Sequence, residues 1–209
     1  LYGYGHELDW MGAYYNVDFF EKHGLKVPKT YDEFLSVCDN VKELGYIPLA
    51  FGNRPMIPAE TIYSDLWGIT AGMEKQAEFF WGDAKLTEPE FVEAAKMMVD
   101  WVDRGYFPKG FEALDWGEYM ALFFDGKSPI EPCGTWLLEP HAAANGKPFK
   151  IGFFLIGGVT LTCVGSQYEI SARAPPEVQK EATDFIDFIM SDEHVGVWAS
   201  KGWMLPIRK

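Results

Sequence analysis

The sequence has few cysteines, and it lacks the patterns that bind metals or phosphates. Its three cysteines, Cys38, Cys133 and Cys163, cannot all pair within one chain, and their spacing does not resemble a zinc site. The patterns HExxH, GxxxxGK[ST] and GxGxxG are absent, and so is the DxDxDG pattern of a calcium loop. We therefore expect neither a metal nor a cofactor, and we interpret the cysteines as small buried hydrophobic residues.

Basic residues are also scarce. The 209 residues include 18 Lys and Arg against 31 Asp and Glu, which gives a formal net charge of −13. Such a surface repels nucleic acid and anionic lipid, and it disfavours a polyanionic substrate. No run approaches the roughly 20 apolar residues that a membrane span needs. Neutral and cationic ligands remain open.

Aromatic residues, by contrast, are abundant, with 8 Trp, 10 Tyr and 16 Phe. Most of them must fill a core, because aromatic side chains dominate core burial. The same side chains suit sugar binding, since a pyranose ring has an apolar face. Composition alone does not separate the two roles.

Helical patterns alternate with short strand patterns, which predicts an α/β layer architecture with more helix than strand. Capping boxes are predicted at Thr30 with Glu33, Thr87 with Glu90, and Asp115 with Glu118. The helix after Thr87 should bury Phe91, Ala95, Met98 and Val102, and a later helix should bury Val178, Ala182, Phe185, Ile186 and Ile189. Ser191 is predicted to cap the helix that follows. Strands are predicted at 13–16, 47–51, 128–133 and 150–156, and near Leu161 and Tyr168.

The segment FFDGKSPIEPCGTW, residues 123–136, carries the clearest candidate for ligand binding. It predicts a helix end, a turn, a short strand, and then Trp136 directly after the strand. Ligands of open α/β sheets collect at the carboxyl ends of strands, so Trp136 is either a ligand platform or core filling. Its neighbours Gly134 and Thr135 favour the platform. Trp10, Trp67 and Trp116 also lie at predicted element ends, and Trp101 is predicted to be core.

Carboxylates near two of these tryptophans leave an enzymatic alternative open. Asp115, Glu118, Glu131 and Glu139 lie around Trp116 and Trp136 in the sequence. A glycoside hydrolase needs two carboxyl groups on either side of the scissile bond, and the sequence cannot give their separation. No nucleophile motif accompanies the four histidines.

Three segments in order resemble the extracellular solute-binding proteins of bacterial ABC sugar importers, the group that includes maltose-binding protein. They are residues 12–52 (GAYYN…YIPLAFG), residues 120–136 (MALFFDGKSPIEPCGTW) and residues 164–209 (VGSQYEI…WMLPIRK). The resemblance covers nearly the whole chain. It implies a periplasmic-binding-protein-like (type II) lobe, helix-rich with a small mixed sheet. It also implies a carbohydrate-binding component of an importer that is not an enzyme.

The resemblance further implies that residues 1–160 form the second lobe of such a protein and that residues 161–209 return to the first lobe. Because the sequence opens directly on Leu1 with the crossing between lobes, we expect a piece of a longer protein. We expect residues 161–209 either to pack on the second lobe or to associate with another copy of the chain.

Ligand-binding residues carried over from the family pattern are Asp9, Trp10, Asn53, Arg54, Trp67, Trp116, Trp136, Glu139, Gln167 and Tyr168. The implied partners are a sugar or oligosaccharide and the permease subunits of an ABC importer, with no nucleic acid. The implied location is extracellular or periplasmic, or anchored at the cell surface. A non-sugar solute such as a peptide or polyamine remains an alternative.

Overall fold

The chain forms two compact units. A computed structural model describes residues 3–137, 149–159, 162–164 and 166–201, with residues 162–164 described by their backbone alone. The first unit comprises residues 1–10, 134–146 and 162–209, and the second comprises residues 11–133 and 147–161. The division into lobes at residue 160 stays a prediction.

Six helices of the second unit account for most of its described residues: α1 Val17–His23, α2 Tyr31–Glu43, α3 Ile57–Thr70, α4 Gly72–Trp81, α5 Pro89–Asp103 and α6 Trp116–Phe124. The predicted capping box of α6 is complete, since Asp115 and Glu118 each accept a hydrogen bond from the other's backbone N–H. At α2, Thr30 Oγ1 accepts from Glu33 N at 3.2 Å. The Glu33 carboxylate, however, accepts from Lys29 N and not from Thr30 N.

Helix α5 departs from its prediction in its cap and in its buried face. The residue before the helix is Glu88, which makes no capping bond, so the box predicted for Thr87 and Glu90 is wrong. The buried residues are Phe91, Ala94 and Trp101, whereas Ala95 and Val102 are exposed. Trp101 is 0% exposed, and its Nε1 donates to the Tyr31 hydroxyl at 2.8 Å. Burying this large ring rotates the helix away from the face that the smaller residues predicted.

A small sheet has β2 (Leu8–Asn16) between β3 (Ile130–Gly134) and β4 (Ile151–Phe154). Residues 13–16 of β2 pair antiparallel with β4. The strand predicted at 47–51 is wrong, because only Leu49 forms a bridge, which is parallel and pairs with Ile130. The preceding Pro48 has no N–H, and Leu49 N donates to Tyr106 O in a loop. Antiparallel ladders with this parallel bridge confirm the predicted helix-rich α/β fold with a small mixed sheet.

The first unit combines short strands with two helices. β1 (Gly3–Gly5) pairs antiparallel with β6 (Gln167–Glu169), and β5 (Thr162–Val164) pairs antiparallel with residues 8–10 of β2. Helices α7 (Pro176–Ile189) and α8 (Asp192–Ser200) follow. Ser191 precedes α8 but makes no capping bond to the backbone, and its hydroxyl lies 2.7 Å from His194 Nδ1.

The two cores differ in size. In the second unit, some twenty buried side chains around Phe34, Leu66 and Trp101 form one cluster, which includes Cys38. In the first unit the described cluster is Ile186, Ile189, Met190 and Val195. Val178 and Phe185 were predicted to be buried on α7, yet they are 46% and 59% exposed. Among the described residues, no helix is both long and apolar enough to cross a membrane.

Glu131 is a buried carboxyl group within the core of the second unit. It is 0% exposed on β3, and neither carboxyl oxygen has a hydrogen-bond partner. Burial raises the pKa of this carboxyl well above its ordinary value. Tyr119 on α6 and Cys133 on β3 are the titratable groups beside it, and burial raises the pKa of Tyr119, as do the neighbouring Cys133 and Glu131. Burial therefore favours the neutral form of Glu131 in the folded chain.

We expect the substitution Glu131→Gln to change how stability depends on pH. The unfolded carboxyl loses its proton near pH 4.3, while the native one keeps it to higher pH. Above about pH 4.3 the free energy of unfolding of the parent should therefore fall relative to the variant, by up to about 1.4 kcal/mol per pH unit, until the native carboxyl ionises. Glutamine has nearly the same shape as glutamic acid but does not titrate in this pH range. The comparison therefore isolates the effect of the Glu131 proton on stability.

Urea unfolding between about pH 5 and pH 8 measures this difference. The exposed Glu112 provides the matched control, since Glu112→Gln should leave the parent's pH dependence unchanged. Parallel curves for the parent and Glu131→Gln would contradict a neutral Glu131.

Candidate functional site

Trp136 occupies the turn in which β3 ends. The strand runs to Gly134, and a short 3₁₀ helix, Thr135–Leu137, follows at once. A Cβ atom added to Gly134 would overlap three atoms of the six-membered ring of Trp136, so the indole lies against the Gly134 backbone. Trp136 is partly exposed, whereas Thr135 and Leu137 on either side are buried. Glycine at 134 is thus a steric requirement for this placement of the ring.

Thr135 connects this turn to β2. Its hydroxyl lies 2.7 Å from Asp9 Oδ1 and 3.2 Å from the carbonyl oxygen of Leu8. Burial raises the pKa of the Asp9 carboxyl, the Thr135 hydroxyl lowers it, and the neighbouring Glu7 carboxylate raises it. The carboxyl is therefore partly buried and held by one hydroxyl, and it can accept further hydrogen bonds from a ligand.

His6 and Glu7 complete the group. His6 Nε2 lies 3.6 Å from Glu7 Oε1, and the His6 ring stacks on Tyr168 at a centroid distance of 4.7 Å. Two buried nitrogens here, Trp136 Nε1 and His6 Nδ1, have no hydrogen-bond partner. Buried polar atoms are nearly always paired, so each of these two nitrogens lacks a hydrogen bond that such atoms usually make. We call His6, Glu7, Asp9, Thr135 and Trp136 the Asp9 cluster.

Strand geometry separates other predicted residues from the Asp9 cluster. Trp10 is 43% exposed, but successive side chains of a strand point to opposite faces, so it lies on the face of β2 opposite to Asp9. Tyr168 is engaged in its stack on His6. Gln167 is exposed, and its Nε2 donates to Glu169 at 2.8 Å.

In the second unit, the structure brings Asn53, Arg54 and Trp116 together. A recess of about 480 Å³ is lined by Arg54, Pro55, Asp115, Trp116 and Gly117. Arg54 Nη1 lies 3.7 Å from Asp115 Oδ2, and both side chains are at least half exposed, so this ion pair is weak. We call this group the Arg54 recess.

Backbone and side-chain bonds fix the loop that carries Arg54. Asn53 N donates to Phe111 O, Arg54 N donates to Leu114 O, and Asn53 Oδ1 accepts from Ala59 N in the first turn of α3. Met56 follows in the same loop and is 73% exposed. Its φ is 63°, and among the described residues it is the residue other than glycine that has a positive φ. Such a conformation costs about 1–3 kcal/mol and is common beside functional sites.

Two predicted candidates do not support ligand contact. Trp67 is 4% exposed and packs edge-on against Tyr63, Phe79 and Phe91, so it fills the core because α3 turns it inward. Glu131 is fully buried, which removes it from any carboxylate pair at a surface. Glu139 lies outside the described residues. Within the described parts of the chain, no group of three or more His, Cys, Asp and Glu could hold a metal.

Sequence reasoning missed His6, Glu7 and the hydroxyl of Thr135 as members of the Asp9 cluster. Thr135 could have been identified from the sequence, because it lies between the glycine that ends the strand and the candidate Trp136. Glu7 lies two residues before Asp9, so the sequence did carry its signal. His6 had no such signal, since its stacking partner Tyr168 is brought to it by the pairing of β1 with β6.

Comparisons with known proteins identify a family. The chain matches, over residues 1–209, the family model described as bacterial extracellular solute-binding protein. An uncharacterized ABC transporter extracellular-binding protein of Pyrococcus horikoshii is 24% identical over 91% of this chain and 45% of its own length. The multiple sugar-binding protein of Streptococcus mutans is 23% identical, with coverages of 85% and 44%. The chain thus spans about half the length of these curated relatives.

Solved structures show the same fold. A chitin oligosaccharide binding protein superposes with a TM-score of 0.86 at 24% identity, over 100% of this chain and 55% of that one. The structure described as SBP RafE in complex with raffinose superposes with a TM-score of 0.80 at 25% identity, over 99% and 56%.

Removal of the Thr135 hydroxyl should raise the pKa of Asp9. The hydroxyl stabilises the ionised carboxylate, so Thr135→Val, which keeps the branched shape, leaves burial and Glu7 opposed by His6 alone among these groups. Thr135→Ser keeps the hydroxyl and should restore the parent value. The carboxyl carbon shift of Asp9, followed by NMR against pH, measures this, and an identical titration in the parent and Thr135→Val would contradict the bond.

Proposed function

Because the chain belongs to the bacterial extracellular solute-binding proteins, we propose that it forms part of the carbohydrate receptor of an ABC importer. In this role it works outside the cytoplasmic membrane and delivers a sugar or oligosaccharide to the permease subunits. The names of the relatives support the class, since one is a multiple sugar-binding protein and another is described in complex with raffinose.

The Asp9 cluster is the observation that carries the proposal. A pyranose ring offers an apolar face for an indole and hydroxyls that both donate and accept hydrogen bonds. Trp136 supplies the partly exposed ring, and Asp9 supplies an acceptor fixed by Thr135. A ligand hydroxyl placed there can donate to the Asp9 carboxylate while the sugar ring stacks on the indole.

Two substitutions of Trp136 should weaken sugar binding to different degrees. Trp136→Phe keeps a smaller aromatic face and loses the N–H, so affinity should fall about two- to tenfold, because the surface that stacks on the sugar shrinks. Trp136→Ala loses both and should fall further. Trp81, which is 90% exposed at the end of α4, provides the control, and Trp81→Ala should bind like the parent.

Isothermal titration calorimetry against a panel of oligosaccharides, including raffinose and chitin oligosaccharides, measures these affinities. Because the chain spans about half of its relatives, the experiment uses the protein expressed from its complete gene. Unchanged affinity in both Trp136 variants would remove the Asp9 cluster from the binding site, and absence of binding by any sugar would overturn the proposed function.

We further propose that the 209-residue chain, expressed by itself, associates with a second copy through α7. Phe185 and Phe188, one turn apart on this helix, are 59% and 60% exposed, and Val178 is 46% exposed. Gln179 and Thr183 of the same helix line a recess of about 760 Å³ together with Tyr4. Soluble monomers rarely leave such apolar faces uncovered.

Light scattering coupled to size exclusion should therefore show a mass above that of one chain, which decreases in the double variant Phe185→Ser, Phe188→Ser. Added salt should strengthen the association, because it screens the repulsion between chains of net charge −13. Met73→Ser with Phe80→Ser, on the exposed side of α4, is the matched control. A single-chain mass at every concentration would contradict this proposal.

A further inference from the structure

The loop before α3 carries an exposed apolar tip at the Arg54 recess. Met56 is 73% exposed and Ile57 is 55% exposed, and Pro55, directly before them, lines the recess itself. Trp116 also lines the recess and is partly exposed. We call Arg54, Pro55, Met56, Ile57 and Trp116 the Met56 surface. All five residues belong to the second unit.

The polar groups around the Met56 surface are already engaged within the protein. Asn53 Oδ1 accepts a hydrogen bond from Ala59 N. Asp115 Oδ1 accepts from Glu118 N, and the Glu118 carboxylate accepts from Asp115 N. A sugar needs partners for many hydroxyl groups, whereas this surface offers apolar side chains and the exposed pair of Arg54 with Asp115. It therefore suits the side chains of a protein better than a sugar.

Hydrogen bonds fix the backbone of the tip before any partner arrives. Arg54 N donates to Leu114 O, and Met56 N donates to Asn53 O at 3.0 Å. Trp, Met and Arg, which this surface combines, are among the residues enriched at protein interfaces. A surface that is fixed in advance loses little conformational entropy when a partner covers it, so these residues are organised for docking.

Charge indicates which kind of protein fits. Arg54 Nη1 and Asp115 Oδ2 are 3.7 Å apart and at least half exposed, so charged groups of a partner can replace either member of this weak pair. Glu112 and Glu118 are exposed in the same segment as Asp115, and Lys109 is the exposed base there. The whole chain carries a formal net charge of −13. Complementarity therefore calls for a partner with a basic contact region.

Resting on the proposed function, we infer that the Met56 surface docks on the permease of the importer, on an extracytoplasmic loop that presents a basic side chain beside apolar ones. The apolar side chains pack on Met56 and Ile57 and enter the Arg54 recess of about 480 Å³, and the basic side chain pairs with Asp115. The Asp9 cluster contains none of these residues, so sugar affinity and docking should respond to different substitutions.

Two measurements on the protein expressed from its complete gene separate docking from sugar binding. Calorimetry gives the dissociation constant of the sugar. ATP hydrolysis by the permease complex that imports this sugar, purified and placed in lipid nanodiscs, gives the receptor concentration for half-maximal stimulation.

Removal of the apolar tip should weaken docking alone. Met56→Asn combined with Ile57→Ser should raise the half-maximal concentration about tenfold or more, because both exposed apolar contacts are lost. Asparagine tolerates a positive φ, so the loop should keep its conformation. Met73→Asn on α4 replaces a methionine that is 64% exposed, and as the matched control it should act like the parent.

Asp115→Asn tests the charge of the contact. Asparagine caps a helix about as well as aspartate, so α6 should remain intact. The half-maximal concentration should rise, and it should depend less on added salt than in the parent, because an attraction to the basic partner is lost. Glu43→Gln removes one charge from the exposed last residue of α2 and should keep the parent's salt dependence.

A higher half-maximal concentration in the double variant, at an unchanged sugar dissociation constant, supports the inference. Parent-like stimulation by that variant, or a parent-like salt dependence in Asp115→Asn, would overturn it. A loss of sugar affinity that accounts for the weaker stimulation would also overturn it, since the Met56 surface would then belong to the sugar site. These results leave the proposed function standing, whereas a parent that binds no sugar, or binds sugar without stimulating the permease, would overturn that function itself.

Discussion

The arrangement of the Asp9 cluster depends on one steric constraint, the absence of a side chain at residue 134. The Trp136 indole lies where a Cβ of residue 134 would be, so any other residue there would displace the ring. With the ring against the backbone, the turn directs the Thr135 hydroxyl onto Asp9. A single glycine thus fixes an aromatic surface, a hydroxyl and a carboxylate relative to one another.

The larger core of the second unit explains how the fold tolerates costly features. A buried carboxyl without a partner, as at Glu131, and a strained loop residue, as at Met56, each lower stability. The aromatic cluster around Phe34 and Trp101 supplies the burial that offsets such costs.

Local signals in the sequence predicted local structure well. The capping box at Asp115 and Glu118, the burial of Trp101 and the turn at Trp136 each depend on a few adjacent residues. Features set by distant contacts were not predictable. The face of α5 follows from the space available for Trp101, and the loop at 47–51 follows from Pro48 and the contact of Leu49 with Tyr106. The stack of His6 on Tyr168 depends on strand pairing that no pattern encodes.

Trp67 and Trp136 show why an unpartnered indole N–H does not by itself mark a ligand site. Both Nε1 atoms are buried and without a partner. Trp67, however, is 4% exposed among aromatic rings, so no ligand can reach it and the missing bond is a cost of packing. Trp136 keeps part of its ring exposed beside a carboxylate and a hydroxyl. The unpartnered N–H therefore marks a ligand site in neither residue, and Trp136 is a candidate because its ring is partly exposed beside polar groups.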